Sequence, residues 1–399
     1  MGKDHDDIQV SQLAWAELST MRLLDVLPSR WEGARLAARA TPVYDVNGEE
    51  LYLRFPFTSG AAGDCEPADA GYADVASNPA LGEALLAVSQ DATWNEDEVR
   101  EQALAAARER LEERDVWDLE MRFVAYSYPK LAAQFLRAGE EVAMLELFTW
   151  EPVPPLAERR YEEPPSHFER WSLLDEMPKK QQRENIRTYE KRAADISEKL
   201  GDFKIGTPIH AEALYPFVDL KPIPLVDTRE LHYSTRNSDH HTCYEVRGQE
   251  TNVWCVGASV QMLLDFYRYE YSQVRLAQEL GLGTLSNPNG LPYSRVNDVV
   301  TVIEKMTANA LDATIDSSPT FAEFRNEIRA NRPLISFVPG HSRTIAGYTQ
   351  ALISIWPTPP FRGLLVYDPW PPNSGVITRW ENYATQIYQF LYTAKVTKV

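Results

Sequence analysis

The chain has 399 residues, of which 44% are hydrophobic and 25% are charged, and its formal net charge is -18 at pH 7. This length and composition are typical of a globular protein with two or three domains, and no run of about 18 apolar residues is available to cross a membrane. The surplus of negative charge argues against broad binding to nucleic-acid phosphates, which needs clustered lysine and arginine.

Cysteine content and the first residues leave the cellular compartment open. The opening segment MGKDHDDIQVSQLAWAEL lacks the apolar stretch of a secretory signal, which fits either a cytoplasmic protein or a secreted one whose leader was omitted. If one of Cys65, Cys243 and Cys255 works as a free thiol, at most one disulfide can form. His240 and His241 lack a second ligand pair at metal-site spacing, so we predict no metal and no cofactor.

Residues 1–157 are predicted to form an α+β domain. Alternating side chains flank a turn at Asn47 and Gly48, which predicts a hairpin. The segment NEDEVREQALAAARERLEERDV predicts a helix with a charged outer face, and strand-like segments joined by the turn RAGEE follow it. We therefore expect an antiparallel sheet packed on one or two helices.

Residues 158–235 are predicted to be a proline-rich and charged linker. Five prolines between Glu151 and Trp171 exclude a helix interior or a central strand there. A charged segment after Pro178 is predicted to form a surface helix that ends near Gly201. The proline-rich segment that follows is expected to be extended.

Residues 236–399 are predicted to form a second α+β domain, with helices first and strands afterwards. The spacing of apolar residues after Cys255 predicts a buried helix that begins at or near that cysteine. Further helices are predicted in SQVRLAQELGL and after Thr320, where Glu323 completes a capping box. The short apolar runs RPLISFV and GLLVYDPW are typical of strands.

Cys255 is placed for chemistry, because the start of a helix favours a thiolate. Small residues after it would let the first helical turn approach a strand closely, and Gln249 offers an amide to a developing oxyanion. Taken alone, a cysteine in this position is more often an inert core residue.

His341 and Asp368 each follow or end an apolar, strand-like run. An aspartate can hold an imidazole in the tautomer and orientation that a general base requires. Trp370, two residues after Asp368, is predicted to shield the pair from water. Taken alone, the histidine would more often be structural and the aspartate a turn former.

Together these motifs resemble the papain-like cysteine peptidases. Gln249, WC followed by small residues and a helix, GHSRTIAGY and DPWPP occur in the order typical of the bacterial and archaeal C39-like subgroup. The resemblance covers residues 236–399 and implies a papain-like fold with a helical and an antiparallel β subdomain. It departs from the usual WCWAA motif at Val256 and Gly257.

The resemblance also implies roles for individual residues. Cys255 is the implied nucleophile, His341 the general base and acid, Asp368 its orienting partner and Gln249 an oxyanion donor, with Trp254 and Trp370 supporting the cleft. The implied activity is peptide-bond hydrolysis through a thioester acyl-enzyme, acting on a peptide or protein without a cofactor.

Three alternatives stay open on the sequence. The N-terminal region is loosely similar to the prodomains of bacterial peptidases, which would make the chain a zymogen, but a permanent accessory domain fits equally well. The same acyl-enzyme would also support acyl transfer to an amine. Finally, the fold would serve as a catalytically inactive binding module if the side chains did not assemble. The oligomeric state is not predicted.

Overall fold

In the computed structural model, the parts of the chain that are described are residues 10, 12–18, 21, 35–36, 39–58, 69–90, 94–110, 118–154, 170–202, 226–231, 244–352, 361–385 and 392–398. Within them no helix is long and apolar enough to cross a membrane.

The labelled helices and strands follow the chain in two groups. In the N-terminal group they are β1 (Arg35–Leu36), β2 (Thr41–Asp45), β3 (Glu50–Thr58), β4 (Asp69–Ala76), β5 (Leu85–Gln90), α1 (Glu96–Arg110), β6 (Glu120–Ser127), β7 (Lys130–Arg137), β8 (Glu140–Glu146) and α2 (Lys179–Asp202). In the C-terminal group they are β9 (Val226–Glu230), α3 (Cys255–Phe266), α4 (Gln273–Leu280), β10 (Gly283–Thr284), β11 (Asn287–Pro288), α5 (Asp298–Met306), β12 (Asp312–Asp316), α6 (Phe321–Arg329), β13 (Leu334–Val338), β14 (His341–Ala351), β15 (Arg362–Asp368), β16 (Val376–Asn382) and β17 (Tyr392–Lys398).

A single 15-stranded sheet runs through both groups. Its main path has the order β12-β17-β13-β14-β15-β16-β5-β4-β3-β2-β6-β7-β8, with β1 paired to β3 and β9 paired to β14. Neighbouring strands are antiparallel except β2 and β6, which are parallel. The two short strands β10 and β11 form a separate hairpin.

The junction between the N-terminal and C-terminal strands is a regular strand pair. β16 pairs with β5 in the register Ile377 to Gln90 and Glu381 to Ala87. Trp380, which belongs to the same strand, is fully buried. One hydrophobic core cluster contains buried residues of both regions, so the two regions share a sheet and a core.

Several local predictions are confirmed. The chain turns between β2 and β3, where Gly48 has a φ of +92° that suits glycine. A helix begins at Cys255, and Thr320 and Glu323 form the predicted capping box of α6. The predicted α+β fold class, with an antiparallel β subdomain beside the helices of the C-terminal region, is confirmed as well.

Helix α2 begins one residue after Pro178, as predicted, and it packs on the N-terminal region. Tyr189 donates a hydrogen bond to the Ala76 carbonyl at 2.8 Å, and Arg192 forms ion pairs with Glu17 and Glu83. The helix is therefore anchored by a polar contact and by charge, although its sequence has few apolar positions.

Other predictions fall outside the described residues. They concern Cys65, Cys243, the histidine pair at 240 and 241, and most of the two proline-rich segments. The division at residues 157 and 235 stays a prediction.

Candidate active site

Cys255 is the first residue of α3, the helix at the centre of the C-terminal region. The preceding Trp254 is fully buried, and its indole Nε1 donates to the Leu282 carbonyl at 2.9 Å. This contact fixes the chain where it enters the helix. The thiol is a free, partly buried group at a helix N-terminus, where negative charge is favoured.

Small side chains join α3 to β14. Ser342 Oγ donates to Ser259 Oγ at 3.0 Å, and both residues are fully buried. Ser259 thus lets α3 approach β14 closely, as the sequence suggested. Gly257 does not share it, because a Cβ atom added there would meet no neighbour closer than 3.9 Å.

His341 is the first residue of β14, directly after a tight turn in which Gly340 has a φ of +66°. Its Nε2 lies 2.7 Å from Asp368 Oδ1, and both side chains are at most 1% exposed. The other ring nitrogen, Nδ1, is buried and has no hydrogen-bond partner among the described residues. The ring as a whole lies close enough to Cys255 to influence the ionisation of its thiol.

Asp368 is the last residue of β15, the strand next to β14. The backbone N–H of Trp370 donates to the same Oδ1 atom at 2.8 Å, which holds the carboxylate in place. The Trp370 ring is 4% exposed and meets Phe148 edge to face at 5.7 Å. Phe148 comes from the N-terminal region, so Trp370 is itself covered by that region.

Gln249 is 1% exposed and lies beside the loop that follows Asp368. Its backbone N–H donates to the Pro369 carbonyl at 2.9 Å, and its carbonyl accepts from Asn373 at 2.8 Å. Its amide nitrogen Nε2 donates to the Thr251 carbonyl at 2.6 Å. An amide has two N–H groups, so one stays available for an oxyanion.

The close approach of these two loops depends on Gly248. A Cβ atom at this position would lie 2.3 Å from the Ser374 nitrogen and 2.4 Å from the Asn373 carbonyl carbon. Any other residue would push the Gln249 segment away from the Asp368 loop. Sequence reasoning missed this glycine, because nothing local distinguishes it from a surface-turn glycine.

The ionisation of the pair is shifted in opposite directions. Burial raises the pKa of Cys255, but the neighbouring His341 ring, the charges of His341 and Lys130, and the Ser342 N–H lower it, and the net direction is downward. Burial lowers the pKa of His341, but Asp368 and Cys255 raise it, and the net direction is upward. The arrangement therefore favours a thiolate beside an imidazolium.

These shifts predict how alkylation of the thiol depends on pH. Because the pKa of Cys255 is lowered in the folded chain, its reaction with iodoacetamide should begin at a lower pH than for an ordinary thiol of pKa about 8.5. Mass mapping of the Cys255 peptide over a pH series gives the midpoint, and the same series in urea is the control. Equal midpoints in both conditions would contradict the prediction.

Trp254 directly precedes Cys255, and the backbone N–H of Trp370 binds Asp368. The structure brings His341 to Asp368 and near Cys255, and it places Gln249 against the loop that follows Asp368. It also adds groups from the N-terminal region, among them Phe148 and Lys130, which no sequence pattern indicated. No cluster of three or more potential metal ligands occurs in the described part of the chain.

Part of the C-terminal region is similar to a known protein family. Residues 242–395 match the model of the Peptidase_C39 like family. This stretch is similar to the C39-like peptidases. The predicted resemblance is confirmed over this range, which begins a few residues after the predicted start at 236. The match supports a cysteine peptidase fold for this part of the chain.

A solved structure with similarity to the chain is UfSP from C. elegans. The two share 12% sequence identity with a TM-score of 0.25, and the match covers 46% of this chain and 36% of the UfSP chain. This chain thus spans little more than a third of that protein's length. No curated protein matches the chain.

Proposed function

We propose that the protein is a cysteine peptidase in which Cys255, His341 and Asp368 form the catalytic triad and Gln249 supplies an oxyanion donor. The observation that carries this proposal is the buried His341–Asp368 pair beside a thiol at the start of a helix. A thiol at a helix start and an imidazole held by a carboxylate are what a cysteine nucleophile with its general base needs.

The proposed reaction has two stages. The Cys255 thiolate attacks the peptide carbonyl carbon, and the oxyanion formed is stabilised by the Gln249 amide and the Cys255 backbone N–H. The His341 imidazolium then donates its proton to the departing amine, and a thioester is left. Water attacks the thioester with its proton passing to His341, which releases the acid and restores the thiolate and imidazolium.

The same acyl-enzyme would transfer its acyl group to an amine if one replaced water. Product analysis with and without an added amine separates the two outcomes. An inactive binding module is the less favoured alternative, since all four polar side chains are present and His341 is bonded to Asp368. For the N-terminal region, the β5–β16 pairing and the Phe148 contact favour a permanent part of the enzyme over a propeptide that leaves.

The proposal is tested by labelling and hydrolysis on the full chain. We expect an iodoacetamide-type probe to label Cys255 faster than Cys65 or Cys243 at neutral pH, and unfolded casein to be cleaved. Cys255→Ala should lose both labelling at this position and cleavage. If the native chain cleaves no peptide substrate and Cys255 reacts no faster than it does in urea, the proposal is wrong.

A further inference from the structure

The N-terminal region reaches the turn that carries the histidine. At the connection between β6 and β7, Ser127 Oγ donates to the Pro339 carbonyl at 2.6 Å, and Lys130 Nζ donates to the Gly340 carbonyl at 2.7 Å. These carbonyls belong to the two residues that precede His341. The turn is thus held by side chains that lie more than 200 positions earlier in the chain.

Lys130 is more than a structural anchor, because its charge is buried at the turn that carries His341. The residue is 5% exposed, and its ammonium lies 5.2 Å from the centre of the Tyr126 ring. A lysine is almost never buried this deeply unless its charge is compensated. Its charge acts on two acidic groups, the Cys255 thiol and the carboxyl group of Glu146 at the end of β8.

We propose that Lys130 is a positioning residue of the active site, whose ammonium is held next to His341 by the Gly340 carbonyl and stabilises Cys255 as a thiolate. This inference rests on the proposed function and deepens it. A cation near a thiol favours the ionised form. The N-terminal region then supplies part of the charge that activates the nucleophile.

The neighbouring titratable groups set the pH range of this effect. Burial raises the pKa of Glu146 to about 7, so below that pH its carboxyl group is mostly neutral and does not offset Lys130. Tyr126 stays neutral, because burial, Glu146 and Cys255 raise its pKa well above its ordinary value. The effect of Lys130 on the ionisation of Cys255 should therefore be clearest in the acidic range, where the charge of His341 also acts on the thiol.

The experiment compares neutral and charged replacements in the full chain. Lys130→Met keeps the aliphatic stem, Lys130→Gln keeps a donor for Gly340, and Lys130→Arg keeps the charge. Ser127→Ala is the matched control, because it removes the other contact to the same turn without changing charge. The rate constant for iodoacetamide on the Cys255 peptide is measured from pH 4 to 10 by mass mapping, with near-ultraviolet circular dichroism to verify folding.

We expect both neutral variants to move the midpoint of the Cys255 profile upward by about 0.5 to 1 pH unit, which slows labelling about 3- to 10-fold on the acidic limb. Lys130→Arg should restore most of the midpoint, and Ser127→Ala should leave it unchanged. An unchanged midpoint in the neutral variant that folds, or an equal shift in Ser127→Ala, would overturn the inference. Failure of the proposed function would look different, because the native chain itself would then show an ordinary thiol profile.

Discussion

Replacing Glu381 by glutamine should lower the free energy of unfolding by about 3 kcal/mol or more. Arg343 on β14 and Glu381 on β16 form a two-pronged ion pair with N–O distances of 2.6 and 2.5 Å, and their side chains are 0% and 2% exposed. Removing the negative charge takes from the buried guanidinium the carboxylate that it binds through two nitrogens. Urea unfolding of the native chain and the variant measures the change.

Two controls separate this cost from a general effect of mutation. Asp298→Asn breaks the Arg295–Asp298 pair, whose side chains are 43% and 42% exposed, and should cost no more than about 0.5 kcal/mol. The double variant Arg343→Met/Glu381→Gln should recover part of the lost free energy of unfolding, because it also removes the buried positive charge of Arg343. If Glu381→Gln is as mild as Asp298→Asn, the pair does not stabilise the sheet.

Replacing His341 by glutamine should reduce peptide hydrolysis by about 10⁴-fold or more, if the proposed function is right. The imidazole is needed twice, first as the proton donor to the leaving amine and then as the base that activates water. A glutamine of similar size fills the space beside Asp368 but transfers no proton. The initial rate of casein or reporter-peptide cleavage measures the loss.

Asp368→Asn is the graded comparison for this experiment. Its amide oxygen still accepts from the histidine Nε2–H and the Trp370 N–H, whereas the negative charge that raises the pKa of His341 is lost. Hydrolysis should therefore fall less than in His341→Gln, and the alkaline limb of its pH profile should move to lower pH. Hydrolysis in His341→Gln above one tenth of the native rate would rule out His341 as the general acid and base.

The parts of the candidate site that were predictable are those with local patterns. The helix starting at Cys255 follows from apolar spacing, and the positions of His341 and Asp368 at strand ends follow from short runs bounded by glycine and proline. The order of these motifs then indicated that their side chains meet. None of this required knowledge of strand pairing.

The contributions of Gly248, Phe148 and Lys130 were not predictable, because each depends on a contact across the chain. Lys130 sits at the start of an ordinary strand, and only the tertiary structure brings it to a turn 210 positions away. The strand pairing of β5 with β16 is equally hidden, since alternation of side chains indicates a strand but not its neighbour. The sequence therefore predicted individual strands but not which distant strands pair.

The β5–β16 pairing also makes the protein suited to division into two fragments. A backbone cut between the two groups of strands would not break the hydrogen bonds that join β5 to β16. Expressed separately, each fragment would carry an uncovered strand edge, and each edge would be the specific template for the other. Reassembly of such a split chain would also reunite Lys130 with the histidine turn, so that thiol reactivity would report on the association of the two halves.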